Sequence, residues 1–341
     1  MNICNLEDNL IVSSPGIGGL TYLEGKNQVI VSTKASTGIY LGEEGFFCGL
    51  QGDGGNHLIL AKDGSPKLVE LDKRSLDIHD VLVNEGLIYY VATQNNEVVC
   101  LDNSLKKINS WQLSGEEDSS HINSVAIYKG RLIASVFGSF ETHREYKNGT
   151  LGLGRVFDVY TGETLISGLS QPHSLTVENN YLYLCSSEEK TLHVYEDYLL
   201  INTVLVPGYA RGVAVGANYI YVGISLSRNV NSDESKLTSG AIAIIDKKSM
   251  ECIALNMLSF REVYDIRIVN QYFNILSMFQ PQQIEIKDLK DSLEKCKYEI
   301  EARDKAIEAR DKAIAQMIDS RSWRLTRPLR VAKTVLFKNR E

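Results

Sequence analysis

Over the first 280 residues, apolar and polar positions alternate with a period of two and gather into paired runs. Each pair is a short apolar strand, a tight turn of glycine, asparagine or charged residues, and a returning apolar strand. The copies are DVLVNEGLIYYVAT (80–93), SVAIYKGRLIASVF (124–137), SLTVENNYLYLCSS (174–187), GVAVGANYIYVGIS (212–225) and DIRIVNQYFNILSM (265–278), with a weaker one, GIYLGEEGFFCGLQ, at 38–51. Runs of this kind joined by such turns are β-hairpins. They recur about every 40–50 residues, the period of propeller blades. Further strands with acid-containing turns, VVCLDNSL, RVFDVYTGE, LHVYEDY and AIAIIDKKS, follow most hairpins and complete four-stranded blades. Two polar insertions, Ser139–Gly152 and Ser227–Ser239, are expected to be rim loops.

The last hairpin has no strands after it, and NLIVSSPGIGGLTYLEG (9–25) is a hairpin with no blade of its own. Pairing the N-terminal hairpin with the last blade closes the ring and leaves no sheet edge exposed. Six inner strands predict six blades; a seven-bladed ring is the alternative, because the first 40 residues are the least regular.

Beyond Pro281 the period changes to 3.5. Ile286, Leu289, Leu293, Cys296, Ile300, Arg303, Ile307, Arg310, Ile314 and Met317 form a heptad seam, and EARDKAI occurs twice in succession. Isoleucine and leucine at position a suit a parallel dimer, so self-association through residues 286–317 is expected. The fold predicted is all-β, a six-bladed β-propeller over residues 1–280, followed by a C-terminal α-helical coiled coil over 282–319 and a basic amphipathic tail over 320–341.

Charge divides along the same boundary. Seven of the 36 basic and one of the 43 acidic side chains lie in 320–341, so the remainder carries 29 and 42, a net of −13. An acidic body argues against a nucleic-acid partner. The tail mixes Trp323, Leu325, Leu329 and Phe337 with Arg324, Arg327 and Arg330, which suits an anionic membrane surface or an acidic protein surface. Neither a signal peptide nor an apolar run long enough to span a bilayer is visible, so the expected location is cytoplasmic, peripheral at the inner membrane face if the tail binds there. The six cysteines are scattered without metal-site spacing and are expected to be reduced and buried.

Two resemblances bear on setting. DIHDVLV (77–83), DSSHINSVAI (118–127), GLSQPHSL (168–175), PGYARGVAVGANYIYVGIS (207–225) and EVYDIRI (262–268) resemble, in order, an uncharacterised bacterial family of propeller proteins known as a domain of unknown function. That resemblance implies the propeller fold and carries no activity. SRSWRLTRPLR, from Ser320, resembles a motif that closes many bacterial glycosyltransferases and sugar-modifying enzymes of surface-polysaccharide gene clusters, usually after a coiled coil. It implies cell-surface glycan assembly and glycosyltransferase-type partners. The glycosyltransferase domain itself is absent, since the body lacks the alternation of strands and helices it requires.

Aligning the hairpins brings two columns to the start of the inner strands: Thr37, His79, Asn123, His173, Arg211 and Tyr264, then Gly38, Asp80, Ser124, Ser174, Gly212 and Asp265. His121 lies two residues before Asn123. His79, Asp80, His121, Asn123, His173, Arg211, Tyr264 and Asp265 are the candidate channel-mouth residues. In a binding pocket Arg211 would be the fixed charge, with His, Asn and Tyr as hydrogen-bond partners. In a lyase or hydrolase acting on a glycan, His79, His121 and His173 would be metal ligands or general acids and bases. A water-filled channel would need the same polarity for structure alone. The histidines lie on separate blades without the local spacing of a metal motif, so no metal or cofactor is expected. GDGGN (52–56) lacks the Lys-Ser/Thr of a phosphate loop and is expected to be a turn. The function expected is a non-enzymatic ligand- or protein-binding module, accessory to surface-polysaccharide assembly.

Overall fold

A computed structural model describes residues 2–3, 6–51, 55–62, 66–74, 76–226, 237–269, 280–320, 323 and 325–326. Its strands form six sheets, the six blades of a propeller. Blades 1 to 5 run from the inside outward in chain order, and their innermost strands are Ser36–Gly42, Ile78–Asn84, Ile122–Tyr128, Pro172–Glu178 and Tyr209–Val215. The fifth blade gains an outer strand, Asn2–Ile3, parallel to Glu251–Met257.

The sixth blade joins the two ends of the body. Its innermost strand is Asp265–Ile268, followed by Leu10–Ser13, Leu20–Glu24 and Asn27–Ser32. Leu10 pairs with Ile268 and Ser13 with Asp265, antiparallel. Closure through the N-terminal hairpin is thus present, with a different share from the one expected. The strand beside Asp265–Ile268 is Leu10–Ser13; the second half of the 265–278 hairpin, residues 270–279, lies outside the described residues.

Both faces of the middle strands of each blade are buried, which explains their apolar runs, whereas outermost strands such as Lys107–Gln112 and Leu199–Leu205 are largely exposed. Ile220, Val222 and Ile224 pack towards blade 4, whereas Tyr221 between them packs towards blade 6. Ala241, Ala243 and Ile245 divide from Ile242 and Ile244 in the same way. Six apolar clusters result, one at every interface between neighbouring blades. Cys48, Cys100 and Cys185 are buried free thiols within them.

A separate unit, residues 284–341, contains most of one long helix, Gln280–Asp319. The seam residues Ile300, Ile307, Ile314 and Met317 are exposed on it. No helix among the described residues is long and apolar enough to cross a membrane. Trp323 is half-buried, while Arg324, Arg327 and Arg330 lie outside the described residues, as do residues 227–236 of the second insertion.

Candidate functional site

The chain enters its inner strands through tight turns. Asp77, Asp118, His121 and Gln171 have φ of 48°, 49°, 50° and 52°, left-handed conformations that are costly for residues other than glycine. These turns stack the two sequence columns as an upper and a lower tier in the channel.

The lower tier fastens blade to blade. Asp80 Oδ2 accepts the Val125 N–H at 2.9 Å, Ser124 Oγ that of Leu175 at 3.2 Å, Ser174 Oγ that of Gly212 at 2.7 Å, and Asp265 Oδ2 that of Ile39 at 2.8 Å. Each bond runs from one blade to the next. At the two remaining positions the residue is glycine. A Cβ on Gly38 would lie 2.5 Å from the Asp80 Cα, and one on Gly212 2.9 Å from that of Asp265. Asp265 Oδ1 also accepts from Ile266 N–H and from the Arg267 guanidinium, at 2.8 and 2.6 Å. The structure therefore places the candidates Asp80 and Asp265 in a buried neck, engaged with backbone. The space left there is about 10 Å³, at most about one water. Beyond it the channel widens to about 960 Å³.

The upper tier is a collar. Ring centres are 5.5 Å apart for Tyr264–His79, 4.9 Å for His79–His121, 4.4 Å for His121–Phe137, 5.1 Å for Phe137–His173 and 5.7 Å for His173–Tyr209. The Arg211 guanidinium closes the circuit, 5.2 Å from the Tyr209 ring and 5.3 Å from that of Tyr264. Above it opens a cavity of about 200 Å³, lined by His79, His121, Tyr209, Arg211, Tyr264 and the first insertion's Arg144 and Tyr146. Thr37 donates to the Ile78 carbonyl at 2.6 Å and is engaged with structure.

Hydrogen bonding assigns the histidine protons. His79 Nδ1 lies 3.0 Å from the Asp77 carbonyl, and His121 Nδ1 lies 2.8 Å from Asp118 Oδ1. His173 Nδ1 meets the Gln171 carbonyl at 2.9 Å and Ser187 Oγ at 2.7 Å, and that hydroxyl gives its own proton to the Ala210 carbonyl. All these partners accept, so each Nδ1 carries hydrogen, which leaves Nε2 as the nitrogen of each ring that can offer a lone pair. Burial, ahead of the opposing Asp77 carboxylate, lowers the His79 pKa; burial and then Arg211 hold His173 well below the ordinary value. Burial works against the charge on Asp118, yet His121, Arg144 and Tyr146 bring it down to about 2. His173 Nε2, Asn123 Nδ2, Arg211 Nε and Tyr264 OH are buried without a protein hydrogen-bond partner, a costly state unless water or a ligand fills it.

The structure thus brings His79, His121, Arg211 and Tyr264 to one cavity, while Asn123 lines the neck and His173 belongs to the collar through Phe137 and Tyr209. Asp77, Asp118, Arg144, Tyr146 and Tyr209 were not read from the columns. The short spacings D-x-H at 77–79, D-x-x-H at 118–121 and Y-x-R at 209–211 carried the signal. Among the described residues no group of three or more His, Cys, Asp or Glu side chains is arranged to hold a metal ion.

A family model described as a domain of unknown function, DUF4915, matches residues 72–276, which span the collar from His79 to Tyr264. The chain belongs to the DUF4915 family. Comparison with curated proteins finds no match. Among solved structures, the DUF4915 chain is similar to one in a nidogen/laminin complex, with a TM-score of 0.56, 8% identity, and coverage of 77% of this chain and 98% of that one. It is also similar to a calcium-binding protein, regucalcin, from Agrobacterium tumefaciens, with a TM-score of 0.49, 11% identity, and coverage of 69% and 78%. At such identities the likeness concerns the DUF4915 fold alone.

Proposed function

We propose that this propeller is a binding module whose mouth captures a small, hydroxyl-rich anion, and that it serves the assembly of cell-surface polysaccharides. Arg211 carries the first part. Its guanidinium is held between two tyrosine rings and forms no ion pair among the described residues, whereas Arg144 beside it is bound to Asp118 at 2.7 Å. A fixed cation without a carboxylate suits a carboxylate or phosphate ligand. The histidine Nε2 lone pairs supply acceptors for hydroxyl groups, so an acidic sugar matches the full donor and acceptor set. The second part rests on the SRSWRLTRPLR tail, with self-association through 286–317 and contact of 320–341 with an anionic membrane surface or a glycosyltransferase-type partner as its corollaries, in the cytoplasm.

Titration calorimetry with glucuronate, galacturonate and hexose phosphates tests the capture. Arg211→Ala is expected to weaken the bound compound by about 10- to 100-fold, the worth of a charged hydrogen-bond pair. Silence of the wild-type chain towards the whole series, or an unchanged Arg211→Ala, would remove the reading.

A further inference from the structure

The Asp118–His121 pair is built for more than capture. Asp118 has only 1% of its side chain exposed. One oxygen takes His121 Nδ1 at 2.8 Å, and the other takes Arg144 Nε at 2.7 Å and the Tyr146 hydroxyl at 3.0 Å. Both Asp118 and His121 hold left-handed backbone conformations, and the turn between them brings carboxylate and imidazole together. The result fixes the tautomer and tilt of the imidazole. Its Nε2 has no protein partner among the described residues, and the ring lines the same cavity as Arg211. A ring nitrogen facing a ligand pocket, with its opposite N–H on a buried carboxylate, is a general base held in position.

What the cavity lacks narrows the chemistry. No cysteine lines it among the described residues. Its serine, Ser225, is engaged on both sides, donating to the Val263 carbonyl at 2.9 Å and accepting the Val263 N–H at 3.0 Å. Besides Asp77, Glu262 and Lys147, its lining offers a base, His121, and a cation, Arg211, without an activated serine or cysteine nucleophile. Elimination beside a carboxylate needs only those two.

We propose that the mouth catalyses β-elimination on a 4-linked uronic acid, with His121 as the base; this rests on the carboxylate capture by Arg211 proposed above. Arg211 pairs with the carboxylate and stabilises the charge that moves onto it when the adjacent C–H bond breaks. His121 Nε2 takes that proton. The C–H electron pair becomes the new carbon–carbon double bond, the C4–O bond breaks, and its electrons leave on oxygen. The imidazolium, stabilised by Asp118, returns the proton to that oxygen. Nothing is oxidised or reduced, and the base ends as it began. His121 is the catalytic residue, and Asp118 is a positioning residue.

The full-length chain should be tested with 4-linked disaccharides of galacturonate and of glucuronate. Calorimetry reads binding, and ultraviolet absorbance of the conjugated unsaturated acid reads elimination. His121→Gln is expected to keep disaccharide binding within a few-fold and to lose turnover by about 10²- to 10⁴-fold, the usual worth of a general base. Asp118→Asn is expected to slow turnover and to move the pH–rate profile, which a merely structural role would leave in place. Nitrogen NMR of the wild-type His121 ring gives a check independent of folding, and hydrogen on Nε2 in place of Nδ1 would overturn the assignment. Arg211-dependent binding with neither unsaturated product nor hydrogen–deuterium exchange beside the carboxylate would overturn the elimination and leave capture standing. No binding of either disaccharide or of the free uronates would overturn both.

Discussion

Removing residues 1–32 is expected to abolish the cooperative unfolding transition of the propeller. Without them blade 6 keeps only Asp265–Ile268 of its four strands. Leu10, Ile11, Val12, Leu20, Leu23 and Val31 are fully buried, and burying such a side chain stabilises by about 1.5–3 kcal/mol. Their combined loss reaches about 10 kcal/mol or more, comparable with the whole stability of a typical domain, about 5–15 kcal/mol. Two interfaces fail together, because these residues belong to the clusters on both sides of blade 6. Calorimetry of the shortened chain should show a broad, weak transition, and a peptide of residues 1–32 added in trans should restore part of it. A sharp transition at the wild-type temperature would show that the ring does not depend on this closure.

Asp265→Ala is expected to cost about 3–5 kcal/mol, the usual penalty for leaving one member of a buried ion pair alone. Arg267, only a quarter exposed, would lose its carboxylate, and the buried Ile39 N–H would lose its acceptor. The same change alters the pH dependence. Burial, and next the Asp265 charge, push the Asp80 carboxyl up to about 7. Burial raises Asp265 too, but Arg267 beside it keeps Asp265 the charged member, so Asp80 takes the proton. An unfolded aspartate titrates near 4. Between about pH 4 and 7 the folded chain therefore binds a proton that the unfolded chain does not. The stability due to this proton is fully present below about pH 4 and is lost as pH rises through about 7. Denaturant titrations from pH 4 to 8 should show this fall reduced in Asp265→Ala relative to wild type. Equal slopes in the two chains would refute the coupling.

The repeat was legible because each blade buries both faces of its inner hairpin, so runs such as GVAVGANYIYVGIS carry apolar residues on alternate sides. The division of blade 6 was not. A hairpin pattern such as 265–278 does not reveal that Leu10–Ser13, from the other end of the body, takes the place beside Asp265–Ile268. The columns located the mouth, since inner strands share one register, and they found Arg211, His79 and Tyr264. They could not separate the tiers, because Asp80 and His79 are adjacent in the chain and differ only in which way they point from it. Asp118 escaped for a local reason: it reaches His121 across a left-handed turn, and strand periodicity says nothing about such turns.

The closure of blade 6 also sets the order of events during synthesis. Ser13 and Asp265 meet across 252 residues. At about 5–20 residues per second, the first strands leave the ribosome roughly 10–50 s before their innermost neighbour exists. Blades 1 to 4 and the four antiparallel strands of blade 5 are contiguous and can form as they emerge, whereas the ring closes only when Asp265–Ile268 reaches the strands made first. Pairing across such a span is slow because the closing entropy must be met before any contact compensates it. Through that interval Leu10, Val12 and Leu23, whose cluster is completed by residues 214–266, lack most of their native partners, and this nascent segment is where chaperone dependence and misassociation of the chain would concentrate.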